Sequence, residues 1–160
     1  MIIVLMGVSG SGKTTVGEAL SHALGWPFRD ADDFHPAANV ARMKAGTPLT
    51  DDDRWPWLDR VAEEMRRVQA EHGNGVFACS ALKQSYRDRL ASAGDVRFVY
   101  LAGDYDLIAG RLAARKHEYM PASLLTSQFA TLEAPTDALV VDIRDSVDEQ
   151  VAMIRSHLTQ

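Results

Sequence analysis

A phosphate-binding loop near the start of the chain constrains its fold more than any other feature of the sequence. Residues 7–14 read Gly-Val-Ser-Gly-Ser-Gly-Lys-Thr and match the pattern G-x-x-x-x-G-K-[ST] in full. Glycines let the backbone N–H groups of such a loop turn inward around a polyphosphate. A β-branched run over 2–6 precedes the loop, and a helical pattern over 13–24 follows it. The sequence therefore predicts a nucleoside triphosphate site between a strand and a helix, whose N-terminus adds positive charge.

The loop and the helix start supply most of the expected nucleotide contacts. The lysine of such a loop reaches the terminal phosphates, and the hydroxyl after it ligates Mg²⁺. We therefore expect Lys13 to act in catalysis and Thr14 to bind the metal. The candidate nucleotide-binding residues here are Gly7, Ser9, Gly10, Ser11, Gly12, Lys13, Thr14 and Thr15.

Composition limits the class of protein and its location. The chain has 160 residues, of which 46% are hydrophobic and 24% charged, as is typical of a single globular domain. Its net charge of −5 argues against a general nucleic-acid binder. The cluster of Lys83, Arg87 and Arg89 is either a site for a small anion or a solvated helix face. A lone cysteine, Cys79, fits a reducing compartment, and no apolar run reaches the roughly 18 residues of a membrane span. We expect one cytoplasmic domain over 1–160 that binds neither nucleic acid nor membrane.

Strand-like and helical stretches alternate along the chain. Strands are predicted over 2–6, 27–30, 75–79, 96–101 and 138–142, and helices over 13–24, 37–45, 54–71, 84–92, 105–115, 122–132 and 147–158. Such alternation is typical of a parallel sheet with helices on both faces. The apolar runs 76–79 and 98–101 fit strands that are covered on both sides. The predicted fold is a three-layer α/β/α P-loop fold with a five-stranded parallel sheet.

Polar residues collect after the predicted strands, where the ligands of such sheets bind. Asp30 and Asp32 alternate, so on an extended segment both side chains point to the same side. One carboxylate can support a magnesium ion while the other accepts the proton of an acceptor hydroxyl. We assign the metal to Asp30 and the proton to Asp32. The alternative is a helix cap before Pro36, supplied by Asp33 or His35.

Two arginines on one predicted helix suit a lid over the nucleotide. Arg111 and Arg115 lie four residues apart and project together. Arginine forks bind phosphate oxygens, and such a pair can close over a nucleotide when a lid folds down. The segment 116–121 interrupts the helical pattern, so we expect a small lid over about 112–128, with Arg115 also acting in catalysis. An ion-pair role on the helix surface is the alternative.

Four further blocks carry a distinctive pattern. They are Asp-x-Asp with His-Pro at 30–36, Gly-Thr-Pro-Leu-Thr-Asp-Asp-Asp-Arg at 46–54 with Pro-Trp-Leu at 56–58, Cys-Ser-Ala-Leu-Lys at 79–83 with Tyr-Arg-Asp at 86–88, and Ser-Gln-Phe at 127–129 with Leu-Glu at 132–133. With the loop they extend over nearly the whole chain, which resembles the gluconate kinases of the P-loop type, relatives of shikimate and adenylate kinases. The blocks at 46–54 and 79–83 are far more specific to that family than the loop is.

The resemblance implies a P-loop kinase fold and a reaction. ATP, with Mg²⁺, would phosphorylate the terminal hydroxyl of D-gluconate to give 6-phosphogluconate and ADP, a step that feeds the pentose phosphate pathway. Gluconate is a linear polyol ending in a carboxylate, so its site needs a cationic anchor and several hydrogen-bonding groups. By resemblance the substrate-binding residues are Asp32, His35, Arg54, Lys83, Arg87 and Gln128, with Asp32 as the base or orienting group. Arg54 could instead only neutralise the aspartates 51–53.

Two positions depart from the family pattern. Glu118 stands in the lid where family members commonly have histidine, so the role of that histidine does not carry over. Ala31 stands where glycine is often found, which matters little if the backbone φ there is negative. The resemblance also suggests a homodimer.

Two other functions stay open at this point. Shikimate kinase is the nearest rival because shikimate is also a hydroxylated carboxylate, although shikimate kinases have a glycine-rich turn in place of the block at 79–83. A nucleotide-dependent switch is a hypothesis from another class. The chain lacks the Asn-Lys-x-Asp and Asp-x-x-Gly motifs expected of a GTPase switch.

Overall fold

Five parallel strands form one sheet in the computed structural model, which describes residues 1–114 and 122–159. The strand order is β2-β3-β1-β4-β5, and every neighbouring pair is parallel. The strands are β1 (Ile2–Met6), β2 (Phe28–Asp30), β3 (Gly75–Ala78), β4 (Val96–Ala102) and β5 (Leu139–Asp142). All five predicted strands are therefore confirmed, with ends that differ by no more than one residue.

Seven α-helices in the described ranges connect and cover these strands. They are α1 (Lys13–Leu24), α2 (Ala37–Lys44), α3 (Asp51–His72), α4 (Gln84–Ala91), α5 (Tyr105–Ala114), α6 (Ala122–Thr131) and α7 (Val147–Leu158). The predicted start of α3 at residue 54 is wrong, because the helix begins at Asp51. The Thr50 hydroxyl accepts from the Asp53 amide at 3.2 Å, and the Asp53 carboxylate accepts from the Thr50 amide at 2.9 Å. This capping box sets the start, and the helix then continues through Pro56.

The two faces of β1 carry the two halves of the core. Ile2, Val4 and Met6 pack with side chains of α3 and α4, whereas Ile3 and Leu5 pack with side chains of α1 and α7. All five of these residues are fully buried. A strand that is apolar at every position must be covered on both faces, which gives the predicted three layers.

The segments that follow the carboxyl ends of the strands carry the predicted site residues and bring them to one edge of the sheet. The phosphate loop follows β1, the aspartate segment follows β2, and residues 79–83 follow β3. Cys79 is buried, and burial raises the pKa of its thiol to about 12, which fits its interpretation as a small core residue. No helix within 1–114 and 122–159 combines the length and the hydropathy that crossing a membrane requires.

Candidate active site

The phosphate loop has the backbone conformation that its glycines predict. Gly10 and Gly12 have φ of 83° and 95°, in the left-handed region that favours glycine. Gly12 also precedes α1 and provides no side-chain cap, so the first amides of the helix remain available to an anion. Lys13 Nζ donates to the Gly7 and Val8 carbonyls, each at 2.9 Å. The loop is thus folded as a polyphosphate cradle.

The two predicted metal ligands lie next to each other. Thr14 Oγ1 donates to Asp30 Oδ2 at 3.1 Å, at the junction of the loop with β2. Burial raises the pKa of the Asp30 carboxyl, against hydrogen bonds from the Asp32 amide and Thr14 that lower it. A hydroxyl and a carboxylate are hard oxygen donors that fit Mg²⁺, which completes its shell with phosphates and water. Within the described residues, no three His, Cys, Asp or Glu side chains gather as a metal site of their own.

The segment after β2 is a short 3₁₀ helix (Ala31–Phe34), so the extended geometry predicted for Asp30 and Asp32 is wrong. Asp30 Oδ1 accepts from the Asp32 amide at 2.9 Å and so caps this turn. Trp57 Nε1 donates to the Ala31 carbonyl at 2.7 Å and fixes the turn from α3. Ala31 is not among the described residues with positive φ, so alanine fits there as expected. The predicted cap of α2 by Asp33 or His35 is also wrong, because Pro36 holds the N-cap position of that helix.

Asp32 and His35 face each other in the cleft. His35 Nε2 lies 3.7 Å from Asp32 Oδ1, and the His35 ring stacks on the Trp57 indole. The facing His35 side chain lowers the pKa of the Asp32 carboxyl, and the charge of Lys13 lowers it further, which together outweigh desolvation. The Asp32 side chain is 76% exposed, so a ligand in the cleft can reach it. Asp32 is therefore an accessible carboxylate beside the phosphate loop.

Arg54 and Lys83 converge on a shared carboxylate and phenol. Lys83 Nζ donates to both carboxylate oxygens of Asp51 at 3.1 and 3.2 Å, and the Tyr86 hydroxyl also donates to Asp51. Arg54 Nη1 donates to the Leu49 carbonyl at 2.7 Å and to the Tyr86 hydroxyl at 3.0 Å. Arg54 and Lys83 both lie over the Tyr86 ring, 5.3 and 5.7 Å from its centroid. Two cations are thereby held together at the start of α3 and α4.

Arg87 is not brought into the cleft. It is only 3% exposed, and its Nη atoms donate to the carbonyls of Ala81, Leu82 and Glu133 at 2.7, 3.2 and 2.7 Å. The remaining donors reach the Gln84 side chain. Ala81 has φ of 45°, the one positive value for a non-glycine among the described residues. The geometry fits a structural clamp on a strained turn.

Gln128 and the two lid arginines have different positions. Gln128 Oε1 accepts from the Ser9 amide at 2.8 Å, and its Nε2 donates to Ser9 Oγ at 3.2 Å, which ties α6 to the phosphate loop. Arg111 Nη2 donates to the Ile143 carbonyl at 2.5 Å, beyond the end of β5. Arg115 and the segment 116–121, including Glu118, lie outside the described residues. Of the predicted lid over 112–128, the described parts are the end of α5 and most of α6.

One cleft of about 790 Å³ joins these elements. We call its two parts the nucleotide half, formed by residues 7–15, and the acceptor half, formed by Asp32, His35, Arg54 and the side chains around them. Most of the predicted site residues line this cleft: Ser9, Gly10, Gly12, Lys13, Thr14, Thr15, Asp30, Asp32, His35, Arg54 and Gln128. Of the predicted site residues that the structure describes, Gly7, Ser11, Lys83, Arg87 and Arg111 are not among its lining residues.

Asn39 and Trp57 both contact His35, although the sequence predicted no site role for either residue. Asn39 is 4% exposed and donates to the Asp53 carbonyl at 2.9 Å. No helical spacing signals the contact of Asn39 with His35, because His35 lies outside α2, which begins at Ala37. Arg89, by contrast, pairs with Asp59 at the surface, as a solvated helix face predicts.

Comparisons with known proteins give relatives for the whole chain. The family model described as shikimate kinase matches residues 9–154. The thermoresistant gluconokinase of Escherichia coli is 44% identical over 156 residues, which cover 94% of this chain and 89% of that protein. A gluconokinase structure from Sinorhizobium meliloti matches with a TM-score of 0.86 at 41% identity, covering 98% of this chain and 94% of that one. The shikimate kinase structure from Aquifex aeolicus matches with a TM-score of 0.57 at 18% identity, covering 99% of this chain and 96% of that one, and so shares the fold alone.

Proposed function

This chain belongs to the gluconokinase family, and we propose that it transfers the γ-phosphoryl group of ATP to D-gluconate, giving 6-phospho-D-gluconate and ADP. The observation that carries the proposal is the single cleft in which Lys13 and Thr14 of the nucleotide half meet Asp32 and Arg54 of the acceptor half. A kinase for a small acceptor needs both sets of groups in one enclosed space.

The acceptor half suits a polyol with one carboxylate. Arg54 lines the cleft and carries donors beyond the Nη1 that bonds Leu49 and Tyr86, so its guanidinium is the proposed anchor for the carboxylate. Lys83 lies against the same Tyr86 ring and adds positive charge, although Asp51 now holds its ammonium. His35 and Gln128 are proposed contacts for hydroxyls along the chain of the substrate.

Transfer at the far end of the substrate uses the groups beside the loop. The terminal hydroxyl oxygen attacks the γ-phosphorus, the bond from that phosphorus to the β–γ bridging oxygen breaks, and ADP leaves. Asp32 accepts the hydroxyl proton as an ionised carboxylate, and the facing His35 side chain holds the pKa of this carboxyl below its usual range. Lys13 stabilises the charge that develops on the transferred phosphoryl group. Arg111 and Arg115 are proposed to contact the nucleotide, Arg115 with a catalytic role as well.

We propose Mg²⁺ as the cofactor, held by Thr14 and, through water, by Asp30. When bound, the ion would offset the negative charge of the triphosphate. The adjacent oxygens of Thr14 and Asp30 support this placement. A chelator should stop turnover, and added Mg²⁺ should restore it.

The chemistry of the product tests the proposal directly. Purified enzyme is incubated with ATP, Mg²⁺ and gluconate, and the products are followed by proton-coupled ³¹P NMR. Phosphorylation of the terminal hydroxyl gives a triplet, because the phosphorus then couples to the two protons of a primary carbon. A doublet, which reports a secondary carbon, or release of inorganic phosphate alone would contradict the proposal. Lys13→Ala provides the inactive control.

Two further properties stay predictions. We propose that the protein acts as a homodimer, which the family resemblance suggests and light scattering after gel filtration would test. We also propose a cytoplasmic location, which the single buried Cys79 supports because it forms no disulfide.

A further inference from the structure

The His35 ring is held in one plane with partners at both nitrogens. It stacks on the Trp57 indole with centroids 4.1 Å apart and an interplanar angle of 16°. Nδ1 lies 3.3 Å from Asn39 Nδ2, and Nε2 lies 3.7 Å from Asp32 Oδ1. Because the His35 side chain is only 3% exposed, water does not compete freely for either nitrogen. A rotation of the ring would lose both contacts at once.

The amide of Asn39 has one possible orientation. Its Nδ2 donates to the Asp53 carbonyl at 2.9 Å as well as facing His35. A carbonyl oxygen only accepts hydrogen bonds, so the nitrogen of the amide, and not its oxygen, must lie at this position. The two N–H groups of Asn39 are then directed at the Asp53 carbonyl and at His35 Nδ1.

A nitrogen that accepts from Asn39 carries no proton. The neutral His35 ring must therefore carry its proton on Nε2, which faces the Asp32 carboxylate. We propose that Asn39 fixes this tautomer of His35, and that His35 thereby directs its Nε2–H at Asp32 Oδ1, 3.7 Å away, and so positions the carboxylate for the acceptor hydroxyl. Asn39 and His35 act through Asp32 and are positioning residues. His35 thus gains a role besides the contact with a substrate hydroxyl.

The surroundings of Asp32 explain why it needs such a partner. Its backbone is fixed by the bond from its amide to Asp30, but its side chain is 76% exposed. An N–H directed at Oδ1 favours one orientation of the carboxylate in the cleft that Asp32 lines. The Asp53 carbonyl belongs to the capped first turn of α3, so the chain of contacts begins at a rigid point.

The proposal rests on the proposed function for the role of Asp32, whereas the tautomer belongs to the free enzyme and is measured without substrates. The protein has five histidines, so ¹⁵N-histidine labelling gives a short list of imidazole signals, and His35→Phe identifies the His35 pair by its loss. At about pH 8, where an ordinary imidazole is neutral, ¹H–¹⁵N spectra report which nitrogen carries the proton. We expect Nε2 protonated and Nδ1 bare.

Asn39→Asp is the decisive variant because it keeps the shape and replaces the donor by an acceptor. The His35 proton should move to Nδ1, kcat should fall roughly tenfold or more, and the KM for gluconate should stay within about twofold. Asn74→Asp makes the same chemical change near the chain start, where Asn74 Oδ1 accepts from the Met1 ammonium, and should change neither the tautomer nor kcat.

A wild-type spectrum with the proton on Nδ1 overturns the tautomer assignment. A reversed tautomer in Asn39→Asp with unchanged kcat overturns the positioning role. If Asn39→Asp does not fold, the wild-type spectrum still decides the tautomer, and His35→Phe decides the role. That variant keeps an aromatic ring against Trp57, so a fall in kcat supports positioning and a rise in KM alone contradicts it. Failure of the wild type to phosphorylate gluconate would count against the proposed function, while the tautomer result would stand.

Discussion

The nucleotide half and the acceptor half of the cleft are built by different means. The nucleotide half is one continuous stretch whose backbone adopts conformations that Gly10 and Gly12 allow. The acceptor half is assembled from side chains on separate segments: the turn after β2, α2 and the start of α3. A backbone cradle recognises what all nucleoside triphosphates share, whereas a set of side chains selects one acceptor.

This difference indicates that the acceptor half, and not the nucleotide half, determines which substrate is phosphorylated. The phosphate loop is common to many kinases, and its geometry would be the same for a different acceptor. The acceptor half depends on Asp32, His35 and Arg54. His35 contacts Trp57 and Asn39, Arg54 contacts Tyr86, and Asp32 belongs to the turn that Trp57 holds at the Ala31 carbonyl. Substitutions in the nucleotide half should therefore remove turnover. Substitutions in the acceptor half should change either the KM for gluconate or kcat, depending on the residue.

Loss of Lys13 should give the largest effect. Lys13→Ala removes a cation that meets the γ-phosphate in the transition state, so kcat should fall by about 10³-fold or more. Circular dichroism should be unchanged, since the bonds from Lys13 Nζ to the Gly7 and Val8 carbonyls lie within the loop and not in the core. Lys44→Ala, at the end of α2, is the matched control. A Lys13→Ala enzyme with normal kcat would refute the nucleotide half as described.

Asp32→Asn should come second, with kcat reduced about 10²-fold. The amide keeps the size of the carboxylate and loses its ability to take a proton, so the KM for gluconate should change little. Steady-state kinetics in both substrates measure the split. Asp95→Asn changes an exposed carboxylate just before β4, at the opposite edge of the sheet, and should be silent. A loss that appeared only in KM would make Asp32 a binding residue.

Arg54→Met should act on binding instead of chemistry. The methionine fills part of the space and removes the cation, so the KM for gluconate should rise about tenfold, which corresponds to about 1.4 kcal/mol. The KM for ATP should not move, because Arg54 belongs to the acceptor half. Arg66→Met on the exposed face of the same helix provides the comparison. Equal changes in the KM for gluconate and the KM for ATP would contradict the assignment of Arg54 to the acceptor half.

Arg87→Met should have the smallest effect on catalysis and a clear effect on stability. It removes the guanidinium donor from the carbonyls of Ala81 and Glu133, whereas Leu82 keeps its bond from the Glu133 amide, and the free energy of unfolding should fall by about 2–4 kcal/mol. Arg89→Met removes an exposed guanidinium from the same helix and should cost much less. Denaturant unfolding measures both variants. A stable Arg87→Met enzyme with a raised KM for gluconate would restore Arg87 as a substrate anchor.

The sequence predicted the sheet and the nucleotide half well because both depend on local patterns. An apolar run predicts a buried strand, and a glycine pattern predicts a backbone conformation, without knowledge of distant residues. The predicted start of α3 lies later in the chain than the observed one, because the prediction does not use the capping box of Thr50 and Asp53. The 3₁₀ turn at Ala31 was missed because Trp57, far along the chain, helps to hold it.

The sequence predicted most residues of the acceptor half but not how their side chains are arranged. Lys83 and Arg87 are four residues apart and both carry a positive charge, so no local pattern distinguishes their roles. The fold sends Arg87 inward to three carbonyls and leaves Lys83 beside Asp51 at the surface. Which side chain turns inward depends on the loop at Glu133, a contact that no local pattern encodes.

We propose that the acceptor half selects a linear polyol by its carboxylate. Initial rates of ADP release, measured with ATP, Mg²⁺ and each of gluconate, sorbitol, shikimate and AMP, test it most directly. Sorbitol has the length and hydroxyls of gluconate without the carboxylate, so it isolates the contribution of Arg54. We expect rapid ADP release with gluconate, weak release with sorbitol and background rates with shikimate and AMP. Rates with shikimate or AMP above those with gluconate, or equal rates with sorbitol and gluconate, would contradict it.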